Sequence, residues 1–280
     1  MDYRTILVHV DTTPAVDARI RLALALARRH GAHLVGAAAT GVSRFVTADM
    51  LAAADGRLAA RCAALRDTAA AALRHFDGLA RAAGLASYDT RLVDDDADGG
   101  LAAQVRYCDL AVVGQAGVDG DGAPVPELGA DLPAYLLLAS GRPVLVVPYA
   151  GANWRTDAPA LVAWDGSVEA TRAATAALPL LRAARGTTVV GFGTPDGRAR
   201  DGDPCALLAA WLGRHGIAAA AGHRAAAGDV GEALLSAAAD LDAGLLVMGG
   251  YGHARYRELV LGGVTATILR SMTLPVLLAH

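Results

Sequence analysis

The stretch richest in chemistry runs Gly249-Gly250-Tyr251-Gly252-His253-Ala254-Arg255 and closes on Gly262-Gly263-Val264-Thr265. Glycines at its start let the backbone turn sharply and approach a ligand closely. The second glycine pair opens a predicted helix, Val264 to Ser271, whose first N–H groups lack intrahelical partners and lie at the positive end of the helix dipole. Such an end accepts anions. His253, Arg255 and Arg257 sit between the two clusters, within reach of a phosphate once the loop folds over. Asp165, in Ala163-Trp164-Asp165-Gly166-Ser167, is a second candidate, as an acceptor-only side chain at the end of a strand-like run. Both features have plainer readings. The glycines could serve close helix–sheet packing, and Asp165 could be a helix N-cap, with ligand and cap roles compatible if Ser167 does the capping.

The elements that position these residues follow from the alternation of short β-branched runs with longer Ala/Leu/Arg segments of helical period, the pattern of βαβ units around a parallel sheet. Strands are expected near Thr5–Val10, His33–Ala38, Tyr88–Val93, Leu110–Gly114 and Val144–Val147. A first helix is expected after Thr13-Pro14, running toward Arg28-Arg29-His30-Gly31, and a second from about Ala48 to Ala83. Beyond Pro148–Asn153 the pattern starts again. Leu161–Asp165 repeats the first strand, Thr187–Gly191 the second, Leu245–Gly249 the fourth and Val276–Ala279 the fifth, and each fifth strand follows a proline, Pro143 or Pro275. The expectation is two α/β domains, residues 1–150 and 156–280, each an open parallel five-stranded sheet of order 3-2-1-4-5 with helices on both faces. Ligands then belong at the crevice between strands 1 and 4, where Asp165 and Gly249 end their strands in the second copy and Asp11 and Gly114 in the first.

Composition narrows the chemistry. Among 280 residues, 54% hydrophobic and 19% charged, all 25 basic residues are arginine. A phosphate loop with its lysine, a pyridoxal Schiff base and a Ser-Lys hydrolase are therefore excluded. Net charge is −3 with no basic block, which argues against nucleic-acid binding. No apolar run reaches membrane-helix length, and Met1 leads straight into a strand-like run, so a soluble protein without a signal peptide is expected. Cys62, Cys108 and Cys205 form no CxxC pair, which predicts buried thiols and neither a disulfide framework nor a zinc site. Asp94-Asp95-Asp96-Ala97-Asp98 lacks the Gly and Glu of a calcium loop and reads as a solvated loop. His9 reads as a core or interface residue, since no nucleophile motif accompanies it. No catalytic and no metal-ligating residue is assigned.

The spacing Gly-x2-Gly-x9-Gly at Gly249, Gly252 and Gly262, with Ala163–Ser167 and Pro275-Val276-Leu277-Leu278, resembles the universal stress protein family, of tandem two-domain type. The resemblance implies Rossmann-like domains of the adenine nucleotide alpha hydrolase-like type and a cytoplasmic stress-response regulator. It also implies ATP or AMP, with or without Mg2+, in the second domain: Asp165 facing ribose or adenine, with Ala163, Met248, Gly249 and Gly252 lining the strand ends. His253, Arg255, Gly262, Gly263, Val264 and Thr265 would then lie toward the phosphates. ATP-binding members carry Ser or Thr after the last glycine, where this sequence has Gly263; Thr265 is the nearest substitute. Gly228-Asp229-Val230-Gly231 is a further candidate adenine wall. The first copy keeps Asp11 and Gly114-Gln115-Ala116-Gly117, then passes into the acidic, proline-bearing Val118–Pro126, a poor phosphate cradle, so a degenerate site is expected there. The resemblance further suggests an intramolecular pseudo-dimer of the two domains through their fifth strands, with homodimer formation left open. The alternative is a scaffold binding no nucleotide. An enzyme ranks last, at most a slow ATP hydrolase, because no GxGxxG follows a first strand and no GxSxG occurs.

Overall fold

A computed structural model describes residues 2–47, 49–50, 56–116, 131–150, 155, 157–192, 202–225, 228–252 and 263–280. The chain forms two compact units, Asp2–Arg142 and Pro143–His280.

In the first unit, β1 (Thr5–His9), β2 (His33–Ala39), β3 (Tyr88–Val93) and β4 (Leu110–Gly114) form a parallel sheet of order β3-β2-β1-β4. The apolar run of β1 fits its central place, because Ile6, Leu7 and Val8 are fully buried, as expected of strands covered on both faces. Helix α1 (Val16–His30) stops at Gly31, whose φ of 58° is left-handed, as its basic-then-glycine ending predicts. Its start differs from expectation. Ala15 is the N-cap with no side-chain bond, because Asp11 captures both the hydroxyl of Thr13 (2.6 Å) and its N–H (3.0 Å). Helix α2 (Arg57–Ala82) buries Phe76 against Gly36 of β2; a Cβ there would lie 2.5 Å from the ring. Helix α3 (Ala97–Val105) is capped by Asp96, which accepts the Gly99 N–H at 2.7 Å. The aspartate run is thus more than a solvated loop: Asp95 is buried and paired with Arg44. Helix α4 (Leu132–Ser140) completes this unit.

The second unit contains β5 (Val144–Val147), β6 (Ala160–Ala163), β7 (Thr187–Phe192), β8 (Ala219–Arg224), β9 (Leu245–Gly249) and β10 (Val276–Ala279), in the order β5-β10-β9-β6-β7-β8. From β8 to β10 the strands run parallel in the expected 3-2-1-4-5 order, while β5, the fifth strand of the first copy, pairs antiparallel with β10. Helices α5 (Val168–Leu181), α6 (Pro204–Arg214), α7 (Val230–Asp240) and α8 (Val264–Ser271) cover the sheet. Of the three thiols, Cys108 and Cys205 are buried and Cys62 is half-buried.

Candidate functional site

In the second unit β6 ends at the half-buried Ala163, and Asp165 stands exposed two residues on. Its Oδ1 accepts the Ser167 N–H at 2.9 Å across Gly166, whose φ of +77° is left-handed. Ser167 is the N-cap of α5, accepting the Ala170 N–H at 3.1 Å. Asp165 therefore does not cap the helix, and its exposed carboxylate is left at the strand end.

The glycines of the strand-4 loop separate into two kinds. At Gly249, after the buried Met248, an added Cβ would meet the Ala170 N at 2.6 Å and the Glu169 carbonyl carbon at 2.8 Å; close packing of α5 on β9 requires glycine there. At Gly252 the nearest group among the described residues is the Glu169 Oε2, 3.9 Å away, and φ lies outside the left-handed region, so neither packing against those residues nor backbone conformation demands glycine. Between them Tyr251 adopts a left-handed φ of 53°, uncommon for an aromatic residue. Its N–H donates to the Thr265 Oγ1 at 3.4 Å, which ties the loop to the first turn of α8. Gly263 is the N-cap of α8, extended at φ −177°, and offers no side-chain cap. Val264 and Thr265 follow, both half-buried. His253, Arg255 and Gly262 lie outside the described residues.

Gly228-Asp229-Val230-Gly231 has a packing explanation. Asp229 caps α7 by accepting the Glu232 N–H at 3.0 Å and accepts the Thr267 hydroxyl at 3.2 Å, which joins α7 to α8. A Cβ on Gly231 would lie 2.8 Å from that threonine's Cβ.

Two features escaped the sequence reading. One is an apolar cavity of about 320 Å³ between α5 and α6, lined by Trp164, Gly166, Thr171, Leu207, Leu208 and Trp211. Trp164 and Gly166 flank Asp165, so the cavity reaches the same strand end. Two of the three tryptophans of the chain meet there, which was the available signal. The other is Arg19 in the first unit, 2% exposed. Its Nη2 lies 2.7 Å from the Asp11 Oδ1, its Nε donates to the His9 carbonyl at 2.7 Å, and its Nη1 would be 2.2 Å from a Cβ on Gly114. The guanidinium thus occupies the crevice between β1 and β4. Burial opposes the charge of Asp11, but Arg19, His9 and the Thr13 hydrogen bonds outweigh it and hold the carboxyl below its ordinary range. Burial and the neighbouring Arg19 push His9 down to about 4 against the pull of Asp11. The expected degeneracy of this site rested on residues 118–126, which lie outside the described residues. Arg19 supplies a separate reason. Its signal was an arginine on the buried stripe of α1 with Ala23, Leu26 and Ala27.

Two repeated βαβ halves, each with a crevice beside an aspartate-ended first strand, define a tandem doubly wound α/β protein. The universal stress protein family model matches residues 212–280, the stretch that carries the glycine spacing. No curated protein matches. Over its whole length the chain has the fold of a universal stress protein from Archaeoglobus fulgidus DSM 4304, with 14% identity, TM-score 0.72, and coverage of 98% of this chain and 95% of that one. It is similar also to a putative universal stress protein from Pseudomonas aeruginosa UCBPP-PA14, at 17% identity and TM-score 0.64, covering 98% and 92%.

Proposed function

We propose that the second unit binds an adenine nucleotide, ATP or AMP, and that the protein is a cytoplasmic stress-response regulator whose interactions follow occupancy of that site. Gly252 carries this reading. Among the described residues no contact and no left-handed φ accounts for glycine there, and a ligand lying against the backbone would require it. Around it, the Tyr251–Thr265 hydrogen bond holds the loop against a helix start whose first N–H groups, having no intrahelical partners, suit phosphates. The exposed Asp165 suits ribose hydroxyls or the adenine amino group. Ala163, Met248, Gly249, Gly263 and Val264 frame the same strand ends, and His253, Arg255 and Gly262 join the phosphate side on sequence spacing. We assign no general base, so binding without turnover is the expected behaviour. No helix among the described residues is long and apolar enough to cross a membrane.

A second reading, a scaffold with no nucleotide, draws on the missing hydroxyl at Gly263, which gives α8 no side-chain cap. Calorimetric titration with MgATP and with AMP decides between them. One saturable site per chain, weakened about tenfold in Asp165→Ala, roughly one hydrogen-bonded contact to a charged group, supports the nucleotide reading. Absence of heat and of thermal shift at millimolar nucleotide leaves the scaffold.

A further inference from the structure

On the second unit, at the start of α6 and on β8, three side chains of different chemistry converge. Asp203 is the N-cap of α6 and accepts the Cys205 N–H at 2.9 Å. Cys205 sits in the first turn of α6 with its thiol buried. His223, exposed on β8, places Nε2 2.7 Å from the Asp203 Oδ1. One potential ligand atom from each residue lies within 4.8 Å of the other two.

The strand beneath is shaped to allow this. Gly191 of β7 is the register partner of His223 on β8, and a Cβ at position 191 would come within 2.9 Å of both the Cys205 Sγ and the His223 Nδ1. Neither its φ nor a turn calls for glycine, as it lies inside a strand. The missing methyl group lets the thiol and the imidazole close over the same spot.

We propose that Asp203, Cys205 and His223 form a binding site for a divalent transition-metal ion, with Zn2+ the ion that suits it best. A sulfur, a nitrogen and an oxygen donor match zinc, and a thiolate excludes magnesium and calcium as preferred occupants. Zinc holds such ligands at about 2.0–2.3 Å, which puts tetrahedral ligand atoms about 3.3–3.8 Å apart. The cluster therefore needs shifts of roughly an ångström to reach that geometry. Zinc would take the Nε2 lone pair of neutral His223, whose ring proton then resides on Nδ1, would bind the Asp203 carboxylate in place of that hydrogen bond, and would displace the thiol proton to solvent. Three protein ligands leave a fourth position, on the side where His223 is exposed, for water or an exchangeable anion. The absence of a CxxC pair does not bear on such a site, because it uses one cysteine only.

Cobalt(II) reports this geometry directly. The full chain, reduced with a phosphine and freed of metal by chelator, is titrated with Co2+ and followed by absorbance. One equivalent per chain should produce visible ligand-field bands of a tetrahedral site with a sulfur-to-metal band in the near ultraviolet, and Zn2+ should abolish both. His223→Ala, at an exposed position, should weaken Co2+ at least tenfold with an unchanged far-ultraviolet spectrum, and Cys205→Ser should remove the sulfur band. Cys62→Ser should change neither. If Cys205→Ser does not fold, the His223→Ala and Cys62→Ser pair still decides the matter. Featureless absorbance in the wild-type chain, or equal affinity in wild type and His223→Ala, overturns the proposal.

Discussion

The two crevices begin from the same design and end differently. In the first unit the aspartate after β1 is engaged by Thr13 and by a buried arginine of the protein itself; in the second the corresponding aspartate makes one local turn bond and remains exposed. Strand 4 ends in glycine in both, yet Gly114 leaves room for a guanidinium and Gly249 for a helix backbone. A copy that supplies its own cation has satisfied its aspartate and filled its own crevice. In the second copy the side chain of Asp165 stays exposed.

Breaking the Arg19–Asp11 pair should have the largest effect. Removing one partner leaves the other charge in a largely desolvated place, and such losses run to about 3–5 kcal/mol. Arg19→Met should lower the unfolding free energy by that order in urea titration. The double variant Arg19→Met/Asp11→Leu should recover most of it, because no charge is then stranded. Equal destabilisation by the double and the single variant would show that the pair itself, not the stranded aspartate, stabilises the unit.

The glycines sharpen the comparison further. At Gly249 the obstacle to a methyl group is the backbone of α5, which moves only as a body, so Gly249→Ala should cost about 2–3 kcal/mol. At Gly114 the obstacle is the tip of one side chain, although a constrained one, and Gly114→Ala should cost about 1–2 kcal/mol. Unfolding midpoints of the two variants, measured side by side, test that order.

His9 gives the contrast a pH dependence. Its folded pKa of about 4 lies below its ordinary 6.5, so the folded unit binds fewer protons than the unfolded chain between those values. Stability from keeping His9 neutral is fully present above about pH 6.5 and is lost as pH falls through about 4. Between pH 7 and 4.5 the wild type should lose on the order of 2 kcal/mol more than His9→Gln. Asp11, also shifted downward, acts in the same direction only at lower pH. A parallel decline in both proteins would remove His9 from the account.

What the sequence made legible followed from local physics. The continuous apolar runs of β1, β4, β6 and β9 had to be buried strands, and Arg28-Arg29-His30-Gly31 had to end a helix. Strand β8, Ala219–Arg224, has no β-branched residue and was invisible, because it forms by pairing with β7 and not by propensity. Arg19 was missed for a related reason. Arginine on a helix reads as solvated surface, and only the tertiary placement of Asp11 and Gly114 makes it a core residue. The converse held at Gly249, where a motif glycine proved to have a packing role against α5.

Asp165→Ala should have the smallest effect on stability. The side chain is exposed and contributes one turn hydrogen bond, while the helix cap belongs to Ser167; the loss should stay within about 0.5 kcal/mol. Asp11→Ala, which strands Arg19 in the first crevice, should cost several times more. Measured by denaturant titration, that inequality asks whether the two aspartates have diverged in role. Two equal and small losses would mean that the first crevice is as open as the second. A large loss at Asp165 would assign that carboxylate to the fold, and a lower nucleotide affinity in the same variant would then reflect damage to the site's framework instead of a missing contact.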